Sequence, residues 1–600
     1  MSTPAPAIPS RETTQAKLDR RARAAARHTA NQSYCIAERI EEAVARHGER
    51  DCLRYGDERL SYAALNRRVN QAAHALHGLG LRCGDVVALC IENRPAFFYA
   101  WLALAKVGAV AAFLNTNVGG RALAHALETT GARRVIVGEE CLALFDGVDA
   151  PPLWCWPDAE RPDAEGRRAR CEVDLEAAAV AAAVTDPPPA WRAGLLAERP
   201  AIYIFTSGTT GLPKAALISH ARWLMTGDVM QVTMDIGSDD CFYTFLPLYH
   251  GAASLSAAAT AFAGGASLAL RRKFSRREFW SDVRRHGATI CQYVGEICRF
   301  LLASPAADDD AVHPLRKMVG AGLAPEVWEL WVRRFGAMDI YEGWGSTEAN
   351  TNTLNLDNRV GSCGRVPFWD KTNLRLVRWD ADSGTHPRGA DGFLQLAAVD
   401  EPGEAIGMII DLPGVVAGRF EGYTSAEATE KKILRNAFRA GDAWWSSGDL
   451  LRCDADGYCW FVDRIGDTYR WKSENVSTTE VADLLGDFPG LDAITVYGVA
   501  VPGHEGRAGM AALVFAPGEC FDGAAFHALA AQRLPRYARP LFLRLSPAAD
   551  MTGNYKLRKV DLQRQGWDAA QIADPLYVID EAAGRYVPLT PQAVARALGE

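Results

Sequence analysis

Through the first three quarters of the chain, short unbroken apolar runs alternate with longer amphipathic stretches. Val86-Val-Ala-Leu-Cys-Ile91, Arg134-Val-Ile-Val137, Ala201-Ile-Tyr-Ile-Phe205 and Ala266-Ser-Leu-Ala-Leu270 have the length and side-chain type of buried strands. Tyr62–Leu79, Arg121–Thr130 and Arg276–His286 between them read as helices. A strand that is apolar on both faces needs cover on both faces, so the alternation predicts mostly parallel sheets between helical layers. The run from Phe97 to Leu114 approaches membrane-spanning length, but Lys106 and Gly108 interrupt it. It reads as a buried helix turning into a buried strand. The Ala-rich segment from Gly251 to Leu270 reads the same way, with Gly264-Gly265 as the turn. No transmembrane span is expected.

From Cys141 to Arg192 the pattern breaks up with Pro, Asp and Arg, as in a surface connection of irregular course. Beyond Lys371 it becomes β-like, in Asn373–Val377, Gly392–Leu396 and Gly457–Val462. A smaller unit follows Arg464, with helices at Val476–Leu485 and Phe521–Leu534 and strands at Ile494–Val499 and Pro540–Leu545. The organisation expected is a disordered basic leader over 1–30, an α/β N-terminal body over 31–464 and an α+β C-terminal lid over 465–600. Arg20-Arg-Ala-Arg-Ala-Ala-Ala-Arg27 in the leader lacks the apolar core of a signal peptide. A solvated leader is expected, with peripheral contact to anionic lipid as the alternative.

Six hundred residues exceed what one compact core requires. A net charge of −8 speaks against a general nucleic-acid binder, which would carry a basic excess, but allows one local anion site. The fourteen cysteines contain no C-x-x-C pair, and Cys453 and Cys459 are the closest in sequence. Neither a zinc spacing nor a disulfide framework is present, and reduced, mostly buried thiols in a cytoplasm are the expectation.

The chemistry concentrates in a few loops. Thr206-Ser-Gly-Thr-Thr-Gly-Leu-Pro-Lys214 follows an apolar strand, and its hydroxyls, glycines and one lysine suit a polyphosphate. Gly208, Gly211 and Lys214 lack the adjacent Gly-Lys of a Walker A loop, so a kinase or P-loop ATPase is disfavoured. Further along, Leu246-Pro-Leu-Tyr-His250-Gly sets a histidine at the end of an apolar strand. Gly320-Ala-Gly-Leu-Ala-Pro325 is a backbone-exposing turn, and Trp344-Gly-Ser-Thr-Glu348 offers an aromatic face, hydroxyls and a carboxylate. Ser447-Gly-Asp449 and Asp463-Arg464 put acids and a base near the junction, and Thr552-Gly-Asn-Tyr-Lys556 presents one lysine on a loop.

This ordered set resembles the adenylate-forming superfamily of acyl-CoA synthetases, aryl-CoA ligases, luciferases and peptide-synthetase adenylation domains. The likeness is greatest to the fatty acid transport protein/very-long-chain acyl-CoA synthetase family. Ile202–Ala216, Val360-Gly-Ser-Cys-Gly364, Gly466–Glu480 and Tyr497–Met510 carry that narrower resemblance, which extends from about Ile36 to Leu589. It implies parallel sheets with an added distorted β-barrel and a mobile lid. It also implies a two-step reaction: a carboxylate attacks the α-phosphorus of ATP, and the thiol of coenzyme A then displaces AMP. The substrate implied is a long- or very-long-chain fatty acid. Sterol or bile-acid carboxylates, a carrier-protein thiol as acceptor and non-catalytic fatty acid transport are the alternatives. Intact Lys214, Glu348, Asp449 and Lys556 oppose the last.

The same resemblance implies roles. Thr206, Ser207, Gly208, Thr209, Thr210, Gly211 and Lys214 would hold the β- and γ-phosphates. Thr347 would bind the α-phosphate, and Glu348 the magnesium ion, a hard cation suited to oxygen. Gly320, Ala321 and Gly322 would meet adenine through their backbone. Trp344, where relatives carry tyrosine, would stack on adenine, with Gly345 and Ser346 beside it. Asp449 would accept the ribose hydroxyls, supported by Arg464. Lys556 would bridge the attacking carboxylate and the α-phosphate. His250 would flank the acyl channel, with a satisfied core histidine as the rival reading. His220 is expected to be structural and Lys559 a solvated charge. Gly466 would let the lid rotate, although many relatives carry Asp or Lys there. Lys472 and Ser473 would abut the thiol tunnel, and Ser473 stands where close relatives have glycine.

Overall fold

A computed structural model describes residues 8–163, 165–206, 213–380, 383–471, 474–502, 504, 506–549, 551 and 559–598. Eight strands form one sheet in the spatial order Thr353–Leu354, Asp339–Trp344, Lys317–Ala321, Ile290–Val294, Cys241–Thr244, Ser267–Leu270, Asp51–Tyr55 and Glu58–Ser61. Its inner pairings are parallel and its two edge pairings antiparallel. A seven-stranded sheet has the order Val173–Asp174, Leu153–Trp156, Arg134–Gly138, Val86–Cys90, Val110–Phe113, Pro200–Thr206 and Lys214–Ser219. Only its last pairing is antiparallel.

Residues of both sheets share one apolar core, from Leu89 and Ile136 to Leu268 and Met318. The alternation of apolar runs and amphipathic stretches thus becomes two covered, mainly parallel sheets, as the pattern implies. The apolar run at 97–114 is the buried helix Pro95–Val107 followed by the strand Val110–Phe113. Its Lys106 is buried and satisfied by Asn66, Asn70 and Asp186 at 2.8, 2.8 and 2.6 Å. Among the described residues, no helix is long and apolar enough to cross a membrane.

A third, antiparallel sheet of six strands includes Gly403–Met408, Ala443–Cys453 and Tyr458–Arg464. The C-terminal residues fold around their own core, from Tyr469 to Val594. There the helices Thr478–Leu485 and Gly523–Arg533 lie on a five-stranded sheet that starts with Leu491–Val499 and Ala508–Phe515.

Several expectations need correction. The stretch from Cys141 to Arg192 is not merely a surface connection, because Leu153–Trp156 and Val173–Asp174 extend the seven-stranded sheet. Gly392–Leu396 makes only isolated bridges, Leu394 with Arg388 and Leu396 with Val377.

The basic leader is not a frayed tail over its described part. Arg11–Ala25 is a helix capped by Ser10 and packed on the helix His220–Met234. Thr14 and Lys17 donate to Asp357 at 2.6 and 2.8 Å, and Arg365 donates to Thr14 at 2.9 Å. Composition missed this because the partners lie more than three hundred positions away. The thiols are not all reduced: Cys453 and Cys459 are linked across the hairpin that pairs them in register. A six-residue separation does not reveal that the two stand opposite one another.

Candidate active site

Parallel strands deliver their carboxyl ends to one side, where the loops that follow them converge. Thr206 ends the strand Pro200–Thr206 and pairs in register with Lys214, which opens the antiparallel return strand. Ser207, Gly208, Thr209, Thr210 and Gly211 lie outside the described residues. His250 closes the loop after Cys241–Thr244, the Gly320 turn follows Lys317–Ala321, and Thr347 and Glu348 follow Asp339–Trp344. A cavity of about 460 Å³ opens beside two of these segments, those of Thr206 and His250. Leu114, Phe205, Thr206, Tyr249, His250 and Met551 are part of its lining.

The segment after Trp344 is held from behind. Arg222 donates to the carbonyl oxygens of Thr347 and Ala349 at 2.7 and 2.6 Å. Gly251 stands against Thr347: a Cβ there would lie 3.2 Å from Oγ1, so the His250 loop and Thr347 are neighbours. The Nδ1 atom of His250 accepts from the Ala252 N–H at 3.3 Å. His220, by contrast, is fully buried with its pKa pulled down to about 4 by that burial, a structural histidine as expected.

Glu348 is buried, and its two oxygens differ. Oε1 accepts from the Tyr423 hydroxyl at 2.9 Å, whereas Oε2 has no hydrogen-bond partner among the described residues. The Lys214 ammonium sits 5.6 Å from the centroid of the same tyrosine ring. Burial, reinforced by the Glu348 carboxylate, pushes the Tyr423 phenol up, so it stays a donor. A buried carboxylate oxygen left without a donor is costly unless a cation completes it. The donor set therefore fits a hard divalent ion. Sequence reasoning found Glu348 but missed Tyr423, which no local pattern marks.

A second cluster surrounds Asp449. Asp449 and Arg464 stand opposite each other in the hairpin register, with Arg464 Nε 3.5 Å from Asp449 Oδ1. The indole N–H of Trp344 donates to Asp449 Oδ2 at 2.9 Å. Trp344 is only 5% exposed, and its ring lies 6.3 Å from that of Trp445. The tryptophan thus supplies a polar contact to the carboxylate as well as ring surface. Gly448, at φ 80°, donates to the buried Glu404 at 2.8 Å and so fixes the turn that presents Asp449. Glu404 too was invisible to motif reading.

The glycine turn has a cause. A Cβ on Gly320 would lie 2.2 Å from the Tyr293 carbonyl oxygen, and Gly322 adopts φ 85°. Ala321 and Gly322 are exposed, as are Gly345 and Ser346 in the facing segment. Glu342, buried behind the turn, accepts from the Gly322 and Leu323 N–H groups at 2.6 and 3.3 Å and from the Tyr293 hydroxyl. Burial pushes its carboxyl up to about 8, against the pull of those three donors. A carboxylate inside the apolar strand Asp339–Trp344 was the available sequence signal.

For an acid whose folded value exceeds its unfolded one, the associated stability is full below the unfolded pKa. It is lost as pH rises through the folded one. Between pH ~5 and pH ~8 the parent protein should therefore lose stability relative to Glu342→Gln, on the order of a few kcal/mol. Thermal melts at half-unit pH steps read the difference. A gap that stays constant across the interval would contradict a neutral buried Glu342.

At the junction, Gly466 takes φ 94° with open space around it. Lys559 is not the solvated charge expected. Its side chain is 20% exposed, donates to Thr478 Oγ1 at 2.6 Å and lies 3.3 Å from Asp467. Thr478 in turn donates to the buried Asp463 through its N–H at 2.7 Å. Lys472, Ser473 and Lys556 lie outside the described residues. Met551, five positions before Lys556, is at the cavity.

The sequence profile described as "AMP-binding enzyme" matches residues 40–397. The chain belongs to the AMP-binding enzyme family. Within this adenylate-forming family, it is 39% identical over 544 residues to long-chain fatty acid transport protein 2 of Rattus norvegicus. That alignment covers 90% of this chain and 86% of the relative. It is 37% identical over 562 residues to the medium/long-chain-fatty-acid–CoA ligase FadD6 of Mycobacterium tuberculosis, covering 93% and 90%. The anthranilate CoA ligase AuaEII in complex with anthranoyl-AMP shares the family fold with a TM-score of 0.75 at 20% identity. That match covers 91% of this chain and 100% of that one. ATP-bound MatB from Rhodopseudomonas palustris matches with a TM-score of 0.70 at 21% identity, over 89% and 100%.

Proposed function

We propose that this enzyme couples a hydrophobic carboxylic acid to AMP and passes the acyl group to coenzyme A, with long- or very-long-chain fatty acids as the substrate class. Two sets of contacts support the reading: Lys214 and Glu348 both meet Tyr423, with one Glu348 oxygen unpartnered among the described residues, and Trp344, four positions before Glu348, donates to Asp449 opposite Arg464. The names of the fatty acid relatives support the choice of acid.

In the first step a carboxylate oxygen forms a bond to the α-phosphorus of ATP, and the bond to the pyrophosphate oxygen breaks. In the second the thiol sulfur attacks the acyl carbon, the bond to the AMP oxygen breaks, and the thiol proton leaves to solvent. Catalysis in such a reaction comes mainly from positioning and charge stabilisation. Lys214 supplies positive charge where the phosphate loop returns to the sheet. Thr347 offers its hydroxyl on a segment that Arg222 holds in place. Asp449 is set by Trp344 and Arg464 to accept the two ribose hydroxyls. His250 lies on the cavity wall, where it borders the acyl carbon. Lys556, five positions beyond Met551 in the sequence, supplies the charge that brings carboxylate and α-phosphate together. Glu348 would hold a magnesium ion, which when bound would neutralise phosphate charge. The body over 31–464 and the lid over 465–600 would act as two units hinged at Arg464-Ile465-Gly466.

The test is exchange of labelled pyrophosphate into ATP across a series of fatty acids, followed by mass spectrometry of products with coenzyme A. Acid-dependent exchange and a CoA thioester are expected. Absence of exchange with every acid in the series would remove the reading. Exchange without any thioester would move the acceptor to a carrier-protein thiol.

A further inference from the structure

Two buried side chains outside the clusters described above are left chemically incomplete. Thr244 is 1% exposed and Gln292 5% exposed, and neither Thr244 Oγ1 nor Gln292 Oε1 has a hydrogen-bond partner among the described residues. They are neighbours. The parallel register pairs Phe242 with Ile290 and Tyr243 with Cys291, so Thr244 stands beside Gln292 one position further on.

They also share a face. Tyr243 reaches Asp282 of the helix Phe279–His286 at 2.8 Å, so Tyr243 and its register partner Cys291 face that helix. Side chains alternate along a strand, which turns Thr244 and Gln292 to the opposite side.

What packs against Cys241–Thr244 and Ile290–Val294, apart from their strand neighbours, includes the segment Ala252–Ala258. It begins two residues after His250 and is wound as a π-helix. Such widened turns occur mostly as single insertions and gather at functional sites. Ala252 and Ser256 within it are only half-buried, in a region where Ala253, Leu255 and Ala257 are buried. The register also sets Gln292 opposite Val319, one position before Gly320 and its turn. The two oxygens therefore face the interior behind His250, on the inner side of the strands that carry the site.

We propose that the chain of the acid runs past His250 into this interior, and that Thr244 and Gln292, which stand outside the cavity lining around His250, form a hydrogen-bonding subsite for it. It favours acids that carry a hydroxyl on the chain or ring over the unsubstituted hydrocarbon acid. This rests on the acid-activating reading and narrows its substrate class. The threonine hydroxyl and the glutamine carboxamide can each accept and donate, so one hydroxyl on the substrate satisfies both oxygens. A channel of purely apolar side chains would tolerate such an oxygen poorly. A site built to bind it discriminates against analogues that lack it, because its own polar groups then stay unpaired.

The experiment compares kcat/KM for pyrophosphate release with octadecanoic acids bearing one hydroxyl moved along the chain. Cholanoic acid and its hydroxylated forms are run beside them, each set against its unsubstituted parent. At the matching position the hydroxylated acid should be preferred by about tenfold, the size of one hydrogen bond of discrimination. In Gln292→Leu and Thr244→Val the preference should fall toward one, mainly through KM. Both variants should melt no lower than the parent protein, because each removes an unpaired buried oxygen. A parent enzyme that prefers the unsubstituted acid at every hydroxyl position overturns the proposal without need of a variant. An unchanged ratio in folded variants overturns it as well. Those outcomes leave acid activation standing, whereas no pyrophosphate release with any acid overturns the activating reading and the subsite together.

Discussion

Glu348→Gln is expected to lower ATP–pyrophosphate exchange by about three orders of magnitude while leaving the protein folded. The carboxylate is buried, one oxygen is engaged by Tyr423, and the other is unpartnered among the described residues. A unit charge at ~4 Å in a medium of effective dielectric near 20 is worth roughly 4 kcal/mol before desolvation. Loss of that attraction corresponds to about a thousandfold in rate. Glutamine keeps the shape and an acceptor for Tyr423, and it removes an uncompensated buried charge. The variant should accordingly melt at or above the parent temperature. Exchange should also need more magnesium to reach its plateau. Activity within threefold of the parent at every magnesium concentration would show that Glu348 does not hold the ion.

Lys556→Ala should nearly abolish formation of the acyl-adenylate yet still convert supplied acyl-adenylate and coenzyme A to thioester. An ammonium that bridges two anions as they approach stabilises only the first transition state. A similar Coulomb estimate gives an effect of about three orders of magnitude on that half-reaction alone. The two half-reactions are separable by stopped assays, one following pyrophosphate and the other following AMP release from synthetic acyl-adenylate. Equal loss in both would point to a structural role for the lysine. Met551, five positions before Lys556, lines the cavity.

Several of the partners that decide the site were beyond sequence reasoning for one common reason. Thr206 and Lys214 announce themselves as strand end and loop end, and Asp449 and Arg464 as an acid and a base near the junction. Glu342, Glu404 and Arg222 act from behind the functional groups, through hydrogen bonds to backbone atoms 20, 44 and 125 residues away. Nothing in a window of local pattern distinguishes them from ordinary carboxylates and cations. The same holds for the helix Arg11–Ala25. Its low apolar content suggests a solvated tail, but Asp357 and Arg365 give its polar side chains partners. Lys559, read as a surface charge, is likewise claimed by Thr478 and Asp467.

The linear order of apolar runs and amphipathic stretches determined the two covered parallel sheets. Hydrophobic burial and backbone pairing depend on periodicities that a chain displays locally. The order of the loops also showed which segments end parallel strands, those before Thr206, His250, Gly320 and Thr347, and parallel strands send their carboxyl ends to one side. Only the tertiary structure decided which oxygens are satisfied and which are not. Glu348, Thr244 and Gln292 each keep a buried oxygen without a hydrogen-bond partner among the described residues. Such a deficit depends on every atom within about 3.5 Å, wherever in the chain those atoms originate.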